Sequence, residues 1–146
     1  MSSFGAILSS LGEKLGIPGL VFDREGCCRL VFDGQRLFEL RVSSAQRRML
    51  LSARVGGAGA IWPTGSERLL MQANLWGGGA GGGWFSIDER GQFCLQHEVA
   101  LNPDSDAQLL AKIEGMLNSL ELWERRLSEE SPRASTQAIP RTIQRV

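Results

Sequence analysis

Residues 19–56 read GLVFDREGCCRLVFDGQRLFELRVSSAQRRMLLSARVG, and this stretch decides the class of fold. Its short apolar runs alternate with turn-forming segments, namely DREG, DGQ and SSAQ. Alternate residues of three runs share one face: Cys28, Leu30 and Phe32, then Phe38, Leu40 and Val42, then Met49, Leu51, Ala53 and Val55. This period of two predicts an antiparallel meander of three or four strands with one buried face.

Helical patterns lie on both sides of the meander. A first stripe, at spacings of three and four, comprises Phe4, Ile7, Leu8, Leu11 and Leu15. With Ser2 or Ser3 as its cap and Gly16 behind it, this stripe predicts an N-terminal helix. The longest helix is predicted after Asn102, where a second stripe comprises Leu109, Ile113, Met116, Leu120, Trp123 and Leu127.

The region between meander and long helix contains a short helix and a hairpin. Thr64 precedes Glu67 by three residues, a spacing that indicates a capping box for the helix SERLLMQANLW. Two strands follow, WFSID and QFCLQHEVAL, joined by ERG. Because strands and helices are grouped rather than strictly alternating, the order predicts an α+β fold.

The segment GGGAGGG, residues 77–83, raises the question of a phosphate site. A P-loop ends in Gly-Lys-Ser/Thr and opens a helix, and a dinucleotide fingerprint also runs from strand to helix. Here the glycines follow a helix, precede a strand and have no lysine nearby. We therefore expect no nucleotide or other cofactor.

Composition excludes several further classes. Lys plus Arg number 16 and Asp plus Glu number 16, so the formal net charge is zero and nucleic acid is not an expected partner. The three cysteines Cys27, Cys28 and Cys94 form neither a disulfide framework nor a zinc motif. No apolar run is long enough to enter a membrane, and the start lacks the basic region of a signal peptide. A reducing cytoplasm fits this pattern.

Catalytic groups are sparse. His97 is the only histidine, and it lies on the apolar face of its predicted strand, which favours a core or interface position. Cys94 and Glu98 are out of phase with it, so no nucleophile–base pair forms locally. No pair of carboxylates is placed for acid–base chemistry. The sequence therefore gives no positive argument for an enzyme, and it identifies neither catalytic nor metal-binding residues.

The chain divides into one domain, residues 1–128, and a tail, residues 129–146. The tail has two prolines, many polar residues and no periodicity, so we expect it to be disordered. The domain carries more apolar residues than one sheet face requires. They form either a two-sided core or a surface that binds other chains.

The order of these elements resembles the Tir-chaperone (CesT-like) family, class I chaperones of bacterial type III secretion. Residues 15–33, LGIPGLVFDREGCCRLVFD, are similar to the family's first strand, turn and second strand. MLLSARVG, residues 49–56, is similar to its next strand, and residues 69–101 to its short helix, glycine-containing loop and hairpin. The resemblance covers residues 4–128, and Ala73-Asn74-Leu75 with its trailing glycines is its most specific part.

The resemblance implies a homodimer that has no enzymatic activity. It binds the N-terminal region of one or more secreted effectors and keeps it extended for export. The resemblance leaves open a contact with the secretion ATPase or another part of the export apparatus. It implies dimer contacts from the short helix and the strand after the glycines, at Leu69, Leu70, Ala73, Asn74, Trp76 and Trp84. We expect the client-binding grooves on the first helix and first strands, at Leu8, Leu11, Val21, Phe22, Leu30, Phe32 and Leu40.

Two other classes of function are left open by the residues. One is a small α+β domain that binds a ligand or acts as an enzyme through the glycine loop and His97. The other is a subunit of a stable hetero-oligomer, whose apolar surface meets a folded partner.

The neutral charge of the chain departs from the acidic tendency of the family. It weakens any argument that electrostatic attraction draws a basic client to the protein.

Overall fold

A computed structural model describes residues 4–43, 45, 47–102 and 105–129. The helices in this part are α1 (Phe4–Leu15), α2 (Ser66–Ala73) and α3 (Ser105–Glu129), with a 3₁₀ helix at Leu75–Ala80. The strands are β1 (Cys27–Phe32), β2 (Arg36–Ser43), β3 (Arg48–Arg54), β4 (Trp84–Ile87) and β5 (Phe93–Ala100). The predicted α+β class is confirmed. None of the helices described combines the length and apolar character that crossing a membrane requires.

The strands form one antiparallel sheet in the order β1-β2-β3-β5-β4. β1 and β2 make a tight hairpin in which Asp33 and Gly34 both have positive φ, 55° and 72°. Glycine and aspartate are among the residues that tolerate this conformation, so the DGQ signal in the sequence is a true turn. β5 pairs with β3 after the α2 crossover, which leaves β1 and β4 as the two edges of the sheet.

The core lies between one face of the sheet and helices α1 and α3. The alternating residues predicted for β1–β3 point inward, although Phe32 and Val42 at two strand ends are only partly buried. All six residues of the predicted α3 stripe are buried. Each fully buried leucine contributes about 1.5–3 kcal/mol relative to an exposed one, so this single interface stabilises the two-layer arrangement. The opposite face of the sheet has no helix over it among the described elements.

Two local predictions are wrong. Residues 20–22 form a loop rather than a first strand, so the meander begins at Cys27, and its three strands agree with the predicted three or four. The capping box does not form, because α2 starts after Gly65, whose φ is 95°, and no side chain caps it. Ser66 instead donates its hydroxyl hydrogen to the Pro63 carbonyl oxygen at 2.6 Å. Three predicted features lie outside the described residues, namely the caps of α1, the start of α3 at residues 103–104 and the tail from residue 130 onward. Helix α3 includes Glu129, the first residue of the predicted tail.

Candidate functional site

The β1 edge of the sheet is the first candidate site. Gly26 and Val42 face each other across β1 and β2, and the Val42 N–H donates to the Gly26 carbonyl at 3.0 Å. In an antiparallel pair, hydrogen-bonded and non-hydrogen-bonded positions alternate. The backbone N–H and C=O groups of Arg29 and Val31 therefore point away from β2.

The neighbouring position on this edge is closed by the preceding turn. The Asp23 N–H donates to the Cys27 carbonyl at 2.8 Å, and the Cys27 N–H donates to Asp23 Oδ1 at 3.0 Å. Among the residues that the structure describes, no hydrogen-bond partner stands on the outer side of Arg29 or Val31. This edge therefore offers two donors and two acceptors to another extended chain.

Apolar side chains accompany the open edge, on β1 and on the loop that leads into it. Val21 is 70% exposed, Val31 59% and Ile17 40%. Phe22 and Phe32 are half-buried and pack against the core. An extended chain at this edge could therefore bury apolar side chains as well as pair its backbone.

The residues predicted to bind a client divide into two groups in the structure. Leu8, Leu11, Leu30 and Leu40 are buried beneath the sheet and helices. They can pack beneath a groove, but their side chains are not accessible to a client. Val21, Phe22 and Phe32 are at least partly accessible. Ile17 was not predicted, although its place between Gly16 and Pro18 is a sequence signal for an exposed turn.

The face of α2 and the 3₁₀ helix is the second candidate site. Trp76 is 94% exposed, and Met71 and Leu75 are also exposed. Trp76 has φ 62°, a conformation that is uncommon for a residue other than glycine. A small apolar cleft of about 50 Å³ between α2 and β4 extends this surface, lined in part by Met71 and Ile87. Exposed apolar side chains on one such face make it a candidate interaction surface.

The residues predicted at the dimer interface are not all on this face. Leu70 is buried under α2, whereas Leu69, Ala73 and Asn74 are half-buried. Trp84 lies on the open face of the sheet, where its Nε1–H donates to Gln96 Oε1 at 2.9 Å. Met71 and Leu75 are absent from the predicted interface. Their signal is that the segment LLMQANLW is apolar on all sides, as in a helix with two packed faces.

Two glycines of the segment 77–83 lie close against neighbouring backbone. A Cβ at Gly79 would lie 2.6 Å from the Ala73 carbonyl oxygen, and one at Gly83 would overlap the Gln96 carbonyl oxygen. The Trp123 indole N–H donates to the Gly79 carbonyl at 2.8 Å. These two glycines allow close backbone approach.

His97 contacts the same glycine segment from the core side. It is buried on the inner face of β5, and its Nε2 lies 3.0 Å from the Ala80 carbonyl oxygen. Since a carbonyl only accepts, Nε2 must carry the hydrogen, and the buried Nδ1 has no partner among the residues that the structure describes. Burial lowers the pKa of His97, and Lys112 lowers it further. The predicted core position of His97 is confirmed, and its role is to fix a loop.

The described residues offer little chemistry. Burial raises the pKa values of Cys28 and Cys94, so these thiols stay protonated and weakly nucleophilic. Within the ranges that the structure describes, no three histidine, cysteine or acidic side chains come together as a metal site. The distinctive features are instead an open strand edge and an exposed apolar helix face.

Comparison with known proteins gives one family. A sequence model described as the Tir chaperone protein (CesT) family matches residues 6–124. No curated protein matches the chain as a relative.

Solved structures share the fold. A chain of the ExsC–ExsE complex has 27% identity and a TM-score of 0.75, covering 85% of this chain and 92% of its own. A chain of the HopA1–SchA chaperone–effector complex has 22% identity and a TM-score of 0.70, covering 84% and 93%. A chain from the Yersinia pestis type III secretion chaperone SycH bound to a YscM2 fragment has 14% identity and a TM-score of 0.67, covering 83% and 99%.

Proposed function

The chain belongs to the Tir chaperone protein (CesT) family, and we propose that it is a chaperone that binds the N-terminal region of a type III secretion effector. The observation that carries this proposal is the family match over residues 6–124. Structures of the same fold are complexes with an effector or with a fragment of another protein, which supports a role in binding rather than catalysis. We place the protein in the bacterial cytoplasm, with no enzymatic activity of its own.

The client adds a strand to the β1 edge. Its backbone pairs with the outward groups of Arg29 and Val31, while alternate side chains lie beside Val21, Phe22 and Phe32. A disordered segment loses conformational entropy when it binds, and burial of apolar side chains offsets this cost. Such binding keeps the client extended, which is the state that export requires.

The protein acts as a homodimer through α2 and the 3₁₀ helix. The exposed side chains of Met71, Leu75 and Trp76 support this arrangement, because a two-fold axis would bury each patch against its copy. Large aromatic side chains contribute most to such interfaces. β1 and β4 are opposite edges of the sheet, so this dimer leaves both β1 edges accessible.

Attraction between net charges has a minor part in binding. The formal net charge of the chain is zero, and the open sheet face carries both signs, as in the Arg29–Glu39 and Arg48–Glu98 ion pairs. Backbone pairing and apolar burial depend weakly on ionic strength. Client binding should therefore survive an increase in salt.

The test is an affinity pull-down from the native bacterium, with bound proteins identified by mass spectrometry. Wild type should recover one or a few secreted proteins through their N-terminal segments. Val31→Pro removes an outward N–H without breaking a bond to β2, because Val31 is at a non-hydrogen-bonded position. We expect this variant to lose most of the client.

Val31→Thr is the matched control, since threonine keeps the N–H, the branched shape and the preference for strands. It should recover the client at nearly the wild-type level. Equal recovery by Val31→Pro and Val31→Thr would contradict strand addition at β1. Recovery of only a folded cytoplasmic protein by wild type would contradict the chaperone function itself.

A further inference from the structure

Asn74 pairs with β4 in the way that a neighbouring strand would. Its Nδ2–H donates to the Phe85 carbonyl at 3.0 Å, and the Phe85 N–H donates to Asn74 Oδ1 at 2.6 Å. A primary amide carries an N–H donor and a C=O acceptor side by side. The peptide groups of an adjacent strand present the same two groups. The side chain therefore occupies both outward backbone groups of Phe85.

Beyond Phe85, the β4 edge offers one further outward position within the strand. Asp88 N–H donates to the Gln92 carbonyl, which places Phe85 and Ile87 at the outward-pointing positions of the strand. At the start of the strand, the Gly83 N–H donates to the Ala80 carbonyl at 3.2 Å. Of the outward positions on β4, Ile87 at its end is left without a recorded partner among the described residues.

We propose that Asn74 is a positioning residue that closes the β4 edge and so confines strand addition to β1. The inference rests on the proposed function, because it determines where a client can pair. It also constrains the dimer. With Phe85 occupied, two copies cannot join their β4 strands into one continuous sheet, and they must meet through side chains of α2 and the 3₁₀ helix.

The chemistry of the side chain explains why asparagine stands here. Aspartate would keep the acceptor for the Phe85 N–H but would lose the donor and place a negative charge beside the Phe85 carbonyl. Alanine would leave both backbone groups without a partner and expose an open edge beside apolar side chains. Open edges of this kind pair with other chains.

The test compares Asn74→Ala, Asn74→Asp and the control Asn118→Ala, which removes an exposed asparagine on α3. Backbone amide hydrogen exchange is measured without client, and molar mass is measured by light scattering over a range of concentrations. In Asn74→Ala, the Phe85 amide should exchange on the order of tenfold faster, as the loss of one hydrogen bond predicts. The variant should also form assemblies larger than those of wild type.

Asn74→Asp separates edge closure from a general effect on stability. It should melt at a lower temperature than wild type, yet keep the Phe85 amide protected and the molar mass unchanged. Asn118→Ala should match wild type in all three measurements. If Asn74→Ala fails to fold, Asn74→Asp decides, and a fast-exchanging Phe85 amide in that variant would overturn the proposal. So would an Asn74→Ala protein with wild-type mass and protection.

These client-free measurements stand whether or not a secreted protein is captured. In the complex recovered from the native bacterium, the Val31 amide of wild type should gain protection, whereas the Phe85 amide should not change. Protection that appears on β4 instead would overturn the confinement to β1. If wild type captures no client, the proposed function is contradicted. The client-free measurements alone then decide whether Asn74 closes the β4 edge.

Discussion

Arg36 and Glu124 form a two-pronged ion pair that joins the sheet to the C-terminal helix. Arg36 Nη1 and Nη2 donate to Glu124 Oε2 and Oε1 at 2.6 and 2.8 Å, and Oε2 also accepts the Gly56 N–H at 2.7 Å. Both side chains are largely buried. The hydrogen bonds that Arg36 donates to Glu124 raise the pKa of Arg36 above its ordinary value. Strand β2, helix α3 and the loop after β3 therefore meet at one carboxylate.

Glu124→Gln should lower the free energy of unfolding by about 1–3 kcal/mol, because a largely buried guanidinium loses its anion. Urea unfolding measures the effect. The control is Glu114→Gln, which removes an exposed carboxylate from the same helix and should change stability by less than about 0.5 kcal/mol. Equal losses in the two variants would show that the ion pair with Arg36 contributes nothing specific.

Gly83→Ala should destabilise the protein by about 1–3 kcal/mol, since overpacking forces the backbone or side chains to shift. The new methyl group would overlap the Gln96 carbonyl oxygen and lie 2.6 Å from His97 Nε2. Gly78→Ala is the matched control, because nothing lies within 4 Å of a Cβ at that position. Thermal unfolding measures the stability of both variants. Similar losses of stability would show a general need for flexible glycines rather than close packing at Gly83.

His97 should make the protein less stable in mild acid. Its folded-state pKa is below the ordinary value of 6.5, because burial disfavours the imidazolium and Lys112 repels it. As pH falls through 6.5, the unfolded chain takes up a proton that the folded chain does not. The free energy of unfolding should therefore fall from about pH 6.5 down to the folded pKa, and His97 should have no effect on its pH dependence well above 6.5.

The measurement is urea unfolding at several pH values for wild type and His97→Gln, whose amide can still donate to the Ala80 carbonyl. Other groups also titrate in acid, so the difference between the two proteins isolates His97. The difference in stability should shift in favour of the variant as pH falls. Parallel pH profiles would show that His97 keeps an ordinary pKa in the folded protein.

Trp76→Glu should convert the proposed homodimer to a monomer of half the mass. The indole is 94% exposed on the single chain, so its replacement removes no intramolecular packing, while a carboxylate on each copy would be buried against an apolar patch. Light scattering coupled to size-exclusion chromatography measures the mass.

Val21→Glu is the control, because it places the same charge on an exposed apolar position of the α1–β1 loop. It should remain a dimer and lose affinity for the client. A Trp76→Glu protein that is folded and dimeric would move the interface away from α2.

Periodicity predicted the core because the residues concerned are close in sequence and share one element. The α3 stripe from Leu109 to Leu127 is buried as predicted, and so are the inward residues of β2 and β3 apart from Val42. The loop at residues 20–22 was predicted as a strand since its residues favour strands, but it has no partner in the sheet. Local propensity gives no information about available partners.

The sequence by itself determined the α+β class, the family and the absence of a P-loop, because these depend on residue order, spacing and local motifs. Only the tertiary structure decided which edge of the sheet is open, because the partners come from distant parts of the chain. Asn74 closes β4 from the end of α2, whereas no described residue closes β1 at Val31. The same holds for the tryptophans, since Trp123 is buried under β4 while Trp76 is exposed to solvent.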